Sequence, residues 1–187
     1  ALTMTNIIVP PQQVFKFVVS PDFTSVQQLK AYKISEHFDW SEVFTQRTAA
    51  EVKSASFAIY QNACRQAKLL EQARAWLREH LHPKAVMKVT SWWRSLGANV
   101  AAKGSKGSQH LSALATDFIV PGYANKQGNK RVQACLLTMP GDWSLEITNG
   151  EWTHLDSRPG IVFENLGGGN YAARDKTWQN AFRQRTL

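Results

Sequence analysis

The chain has 187 residues, 43% hydrophobic and 19% charged, with no low-complexity tract; this suits one globular domain with a sizeable core and excludes a disordered protein. Twenty-two Lys and Arg against 14 Asp and Glu give a net charge of +8. That favours an anionic partner, yet the basic residues are scattered and carry no helix-turn-helix, zinc-finger or RNA-recognition pattern, so specific nucleic-acid binding is not expected. Cys64 and Cys135 are the two cysteines and lack CxxC spacing, which excludes a disulfide framework and a thiolate zinc site.

The start, ALTMTNIIVPPQQ, lacks a basic segment followed by a long apolar one, so no secretory leader is expected. No apolar run approaches the roughly 20 residues of a membrane helix, so no membrane span is expected either. Residues 1–33 contain Pro10-Pro11, the alternating strand-like run VFKFVV, and Val26 and Leu29 at helical spacing. They read as an N-terminal extension packed on a main domain of residues 34–187. Thr48-Ala49-Ala50-Glu51 has capping-box spacing, and Tyr60, Cys64, Ala67, Leu70, Ala73, Leu77 and Leu81 recur at three and four residues. This predicts the main amphipathic helix, with a break near Ser54 to Ser56 and an end at Pro83.

AVMKVTSWW reads as a strand, Arg94 to Ser108 as a loop over a site, and ATDFIV as a buried strand stopped by Pro121-Gly122. A short helix is predicted over Asn129 to Leu137. Two alternating runs, Trp143 to Thr148 and Glu151 to Asp156, flank Asn149-Gly150, a strong hairpin signal. IVFEN reads as a strand, LGGGN as a flexible joint, and the tail from Tyr171 as a helix with Trp178 and Phe182 on one side. The expected fold class is α+β, with a small, mainly antiparallel sheet flanked by helices and the candidate site on the sheet.

The chemistry concentrates in SQHLSALATD and the hairpin's EWTHLD. His110 and Asp117 are seven residues apart, roughly 10 Å on a continuous helix, so joint action needs a turn through Ser112 and Ala113. Two imidazoles and one carboxylate form a common catalytic zinc set whose fourth position is open to water, which the metal acidifies. His110, Asp117 and His154 supply such a set, for one zinc per chain. His80, His82 and His37 read as structural, with the first two at a helix end that favours imidazolium.

SQHLSALATD resembles the S-x-H-x-x-G-x-A-x-D signature of the zinc D-alanyl-D-alanine carboxypeptidase family, and EWTH resembles its E-x-x-H signature. The family includes vancomycin-resistance dipeptidases and phage endolysins. SEHFDWSE is similar to its early His-Phe-x-x-Ser-Glu segment and TSWWRS to its Thr-Ser-x-Tyr-Arg-Ser strand end, so the likeness runs in order from about Ile34 to Ser157. The resemblance implies His110, Asp117 and His154 as zinc ligands and Glu151 as the general base. It implies that Arg94 binds a substrate carboxylate or polarises the scissile carbonyl, and that Ser108 helps to place the peptide. Ala113 stands where the family has Gly, and Trp93 where it has Tyr.

In a regular strand Glu151 and His154 would face opposite ways, which keeps Glu146 and Asp156 as reserve acids. The expected activity is hydrolysis of a peptide bond in peptidoglycan, by an endolysin-like stem-peptide endopeptidase or a D-Ala-D-Ala carboxypeptidase. A non-catalytic wall-binding module with the same fold is the rival. The expected protein is a monomeric phage or prophage lytic enzyme, made in the cytoplasm and acting on the wall. Lys103 and Lys106 suit attraction to an anionic wall polymer.

Overall fold

A computed structural model describes residues 7–187. The first six residues of the expected extension, and that part of the leader reading, lie outside the described residues. In chain order the elements are α1 (Pro11–Val19), a 3-10 turn (Val26–Ala31), α2 (Trp40–Val43), α3 (Ala49–Ser54), α4 (Phe57–His80), β1 (Lys88–Ser91) and α5 (Leu96–Ala101). A second 3-10 turn (Gln109–Ser112) leads to β2 (Ala115–Ile119), α6 (Lys126–Leu136), β3 (Ser144–Ile147), β4 (Thr153–Asp156), β5 (Val162–Gly167), β6 (Asn170–Ala173) and α7 (Lys176–Thr186). The fold is α+β, with a six-stranded, mostly antiparallel sheet ordered β1-β2-β4-β3-β5-β6.

The chain divides into two compact units, one comprising residues up to Glu71 with Ser91–Thr116, the other Gln72–Thr90 with Asp117–Leu187. In the first, α1 replaces the strand expected over VFKFVV: Pro11 stands in the first helical turn, where its missing N–H costs nothing, and Val14 and Val18 are buried one turn apart. Capping boxes start α2 (Asp39, Glu42) and α3 (Thr48, Glu51). The predicted break falls between α3 and α4, and Tyr60, Ala67 and Leu70 of α4 are buried as the periodicity requires. Tyr60 meets the rings of Phe15, Trp40 and Phe44.

SEHFDWSE is structural scaffolding for the TSWWRS segment. Ser35 Oγ and the His37 main-chain N–H both donate to Glu71 at 2.7 Å, and His37 Nδ1 lies 2.8 Å from the same carboxylate. Phe38 packs edge-on against Trp92 at 6.5 Å, and the Trp93 N–H donates to the Val43 carbonyl at 3.0 Å. The expected loop over 94–108 opens instead with α5, capped by Ser95. Beyond α5 the basic segment is knit to buried Asn99, whose carbonyl accepts from Gly104 N at 2.8 Å and whose Nδ2 donates to the Ser105 carbonyl at 3.0 Å.

In the second unit β3 and β4 form the predicted hairpin, with Glu146 opposite His154 and Leu145 opposite Leu155. Alternation sends Leu145, Ile147 and Leu155 to one face, buried as are Val132 and Leu136 of α6, and leaves Glu146, His154 and Asp156 on the other. The LGGGN run is a hairpin turn rather than a joint. It returns the chain as β6, so the predicted terminal helix starts at Lys176 rather than near Tyr171. Trp178 and Phe182 stack on α7 at 5.2 Å.

Candidate metal centre

The turn needed between His110 and Asp117 is present. Ser108 Oγ caps the 3-10 turn by accepting the His110 N–H at 3.4 Å, and Ala113 ends it in the left-handed region at φ 58°, ψ 22°. The Ala113 carbonyl accepts from Trp92 Nε1 at 3.0 Å, and α4 reaches the same stretch through Asn62 Nδ2 to the Ser112 carbonyl at 3.0 Å and Gln66 Nε2 to Thr116 Oγ1 at 3.3 Å. A buried alanine thus occupies the conformation that glycine would take without strain.

Among the described residues, His110, Asp117 and His154 form a group whose ligand atoms all lie within 4.8 Å of one another, and all three are buried. The donor chemistry fits a divalent transition ion. His110 Nδ1 lies 2.6 Å from the Trp92 carbonyl; a carbonyl only accepts, so Nδ1 carries the proton and Nε2 offers its lone pair. His154 places Nδ1 2.8 Å from Asp117 Oδ1 and Nε2 3.4 Å from Asp156 Oδ2. Asp156 is wholly buried behind that ring, as a carboxylate orienting a metal-binding imidazole would be. Its oxygens also accept from Arg158, at 2.9 Å from Nε and 2.6 Å from Nη2.

Burial works against a charged His154, but the hydrogen bonds to Asp117 and Asp156 and the charges of Asp117 and Glu146 outweigh it and raise its pKa to about 10. Burial likewise opposes the charge on Asp156, yet Arg158 and His154 hold its carboxyl below the usual range.

The family profile for peptidase M15 matches residues 36–156. The chain belongs to peptidase family M15. No curated protein sequence matches it. M15 membership makes this a zinc metallopeptidase family member, and the His110, Asp117 and His154 side chains are those suited to hold the ion. No helix among the described residues is long and apolar enough to cross a membrane.

The other M15 candidates are placed as follows. Glu151 is exposed and lies in the turn before β4 rather than within it. The strand-alternation objection therefore does not apply to it. Arg94 is half-buried, with Nε donating to Ser91 Oγ at 2.9 Å and its main-chain N–H to the His110 carbonyl at 3.0 Å. Trp93 is buried edge-on against Phe44 at 5.8 Å. His80 stacks on Trp76 at 3.7 Å, and His82 Nδ1 accepts from Lys84 N at 3.1 Å. Sequence reasoning kept Asp156 as a reserve acid on the face of His154, from its spacing of two on a strand; the structure places it behind the His154 ring and bound to Arg158.

Proposed function

We propose that this M15 peptidase hydrolyses a peptide bond in bacterial peptidoglycan, within the stem peptide or at its D-Ala-D-Ala end. The observation that carries the reading is the convergence of His110, Asp117 and His154 within a chain of this family. One zinc ion held there would supply Lewis acidity toward the scissile carbonyl and acidify a water molecule. Glu151 takes a proton from the attacking water and delivers it to the leaving amine. Its exposure supports that role, whereas Asp156 is buried and engaged by Arg158, and Glu146 accepts from Asn165 Nδ2 at 2.8 Å. Arg94 steadies the substrate carboxylate or developing oxyanion, and Ser108 helps to seat the peptide.

In this reading residues 34–187 are the peptidase domain and residues 1–33 its extension. The protein acts as a monomeric lytic enzyme of phage or prophage type, drawn to anionic wall polymer by its net charge of +8. Digestion of purified peptidoglycan with and without chelator, followed by mass spectrometry, tests the activity. New peptide termini that vanish on chelation and return with zinc are expected, and their position separates the endopeptidase from the carboxypeptidase. Wall binding with no new termini would assign the protein to the binding modules instead.

A further inference from the structure

The sheet face that carries His154 continues past the metal ligands. Glu146 lies opposite His154 on one side and opposite Phe163 of β5 on the other. Alternate residues of a strand share a face, so Asn165 joins Phe163, and Tyr171 of β6, which pairs with Asn165, extends the row. Ring contacts follow the same path. Phe163 meets His154 edge-on at 6.4 Å and Tyr171 edge-on at 5.7 Å. The Arg158 guanidinium covers Phe163 at 5.5 Å.

Tyr171 reaches this place through the glycine turn. Gly167, Gly168 and Gly169 all take positive φ, at 86°, 61° and 81°, a run that side chains with a Cβ resist. Phe163 supports one edge of the Tyr171 ring, while the residue remains 50% exposed. A role confined to packing would not need that open area beside a metal face, whereas a substrate site needs apolar walls next to its polar groups. The hairpin lies beyond residue 156, where the family match ends.

We infer that the Tyr171 ring, backed by Phe163, is a wall of the substrate-binding face and packs against the aliphatic part of a side chain of the bound peptide. The inference rests on the peptidase reading above and names a specificity-determining residue for it.

The test uses the full-length zinc-loaded protein, a synthetic stem peptide, and the same peptide carrying its sugar. Y171A should raise KM for the free peptide about 3- to 10-fold, with kcat within about twofold, zinc content and melting temperature kept, and the pH profile unmoved. Y171F should recover the KM of the parent. Y171L, which retains bulk without the ring, covers the case in which Y171A fails to fold. Calorimetric binding of the uncleaved peptide to E151Q, with and without Y171A, reads the same loss without turnover. Unchanged KM and binding, a defect in kcat alone, or a loss seen only with the sugar-bearing peptide would each overturn the wall. If the parent cleaves peptide and Tyr171 does not matter, this inference fails alone. If peptide binds in a Tyr171-dependent way but is never cut, the peptidase reading fails alone. If peptide is neither cut nor bound, both fail.

Discussion

His110 Nδ1 donates to the main-chain carbonyl of Trp92 at 2.6 Å, which fixes the tautomer of the ring before any metal arrives. His154 is oriented differently, between the carboxylates of Asp117 and Asp156. One imidazole is thus steered by backbone and the other by charge, and the two respond differently to substitution. Replacing His110, Asp117 or His154 by Ala should each abolish stoichiometric zinc after dialysis, measured by elemental analysis. D156N, which keeps the shape but not the charge behind His154, should leave the fold intact and weaken zinc binding about 10- to 100-fold. Parent-like zinc affinity in D156N would show that Asp156 serves Arg158 alone.

The assignment of the base is open to direct comparison. E151Q should retain zinc and lower kcat about 10²- to 10⁴-fold, the usual scale for loss of a general base. E146Q should lose less than about tenfold, since Glu146 is held by Asn165 Nδ2 at 2.8 Å. Reversed effects would move the role to Glu146.

Ala113 offers a case in which two known costs nearly cancel. A left-handed alanine carries about 1–2 kcal/mol of strain, which A113G would relieve. That change also removes a buried methyl worth about 0.8 kcal/mol and loosens the unfolded chain by about 0.4–1 kcal/mol. Denaturant melts of A113G should therefore fall within about 1 kcal/mol of the parent, with zinc affinity unchanged. A113V adds a branched side chain at φ 58° in a fully buried position and should destabilise by more than about 2 kcal/mol.

Glu42 makes stability depend on pH. Burial pushes its carboxyl up from 4.5 to about 7, against the hydrogen bond it accepts from Asp39 N. The folded state holds the proton more tightly than the unfolded chain, so this contribution is fully present below about pH 4.5 and is lost as pH rises through about 7. The shift sets a ceiling of about 3 kcal/mol. E42Q, neutral throughout, should gain stability relative to the parent between pH 5 and pH 8, with about 1–2 kcal/mol expected. Parallel stability curves for the two proteins would show that the carboxyl is not shifted.

The convergence of His110, Asp117 and His154 was legible because their spacing carries its own logic: two imidazoles and a carboxylate in two short segments, with small residues where the chain must turn. The long helix, its break after Ser54 and the β3–β4 hairpin were legible from periodicity, capping and Asn149-Gly150. VFKFVV was misread because its pattern satisfies both a strand and a helix, and Pro11 with the Val14 and Val18 pair decides for the helix. Strand β6 was missed because Asn170-Tyr171-Ala172-Ala173 has little intrinsic strand preference; pairing with β5 creates it. Asp156 was half legible: a spacing of two on a strand puts it on the face of His154, but its contact with that ring and with Arg158 depends on side-chain placement that spacing does not give.

His154 and Asp156 sit on one four-residue strand, two positions apart and facing the same way. If β4 slid by a single residue against β3, His154 and Asp156 would rotate together into the oily layer, while Leu155 surfaced among the charges. Misfolding at this hairpin would therefore withdraw His154 from the group it forms with His110 and Asp117, and Asp156 from behind it, in one event, so a correctly threaded hairpin brings both side chains into place together.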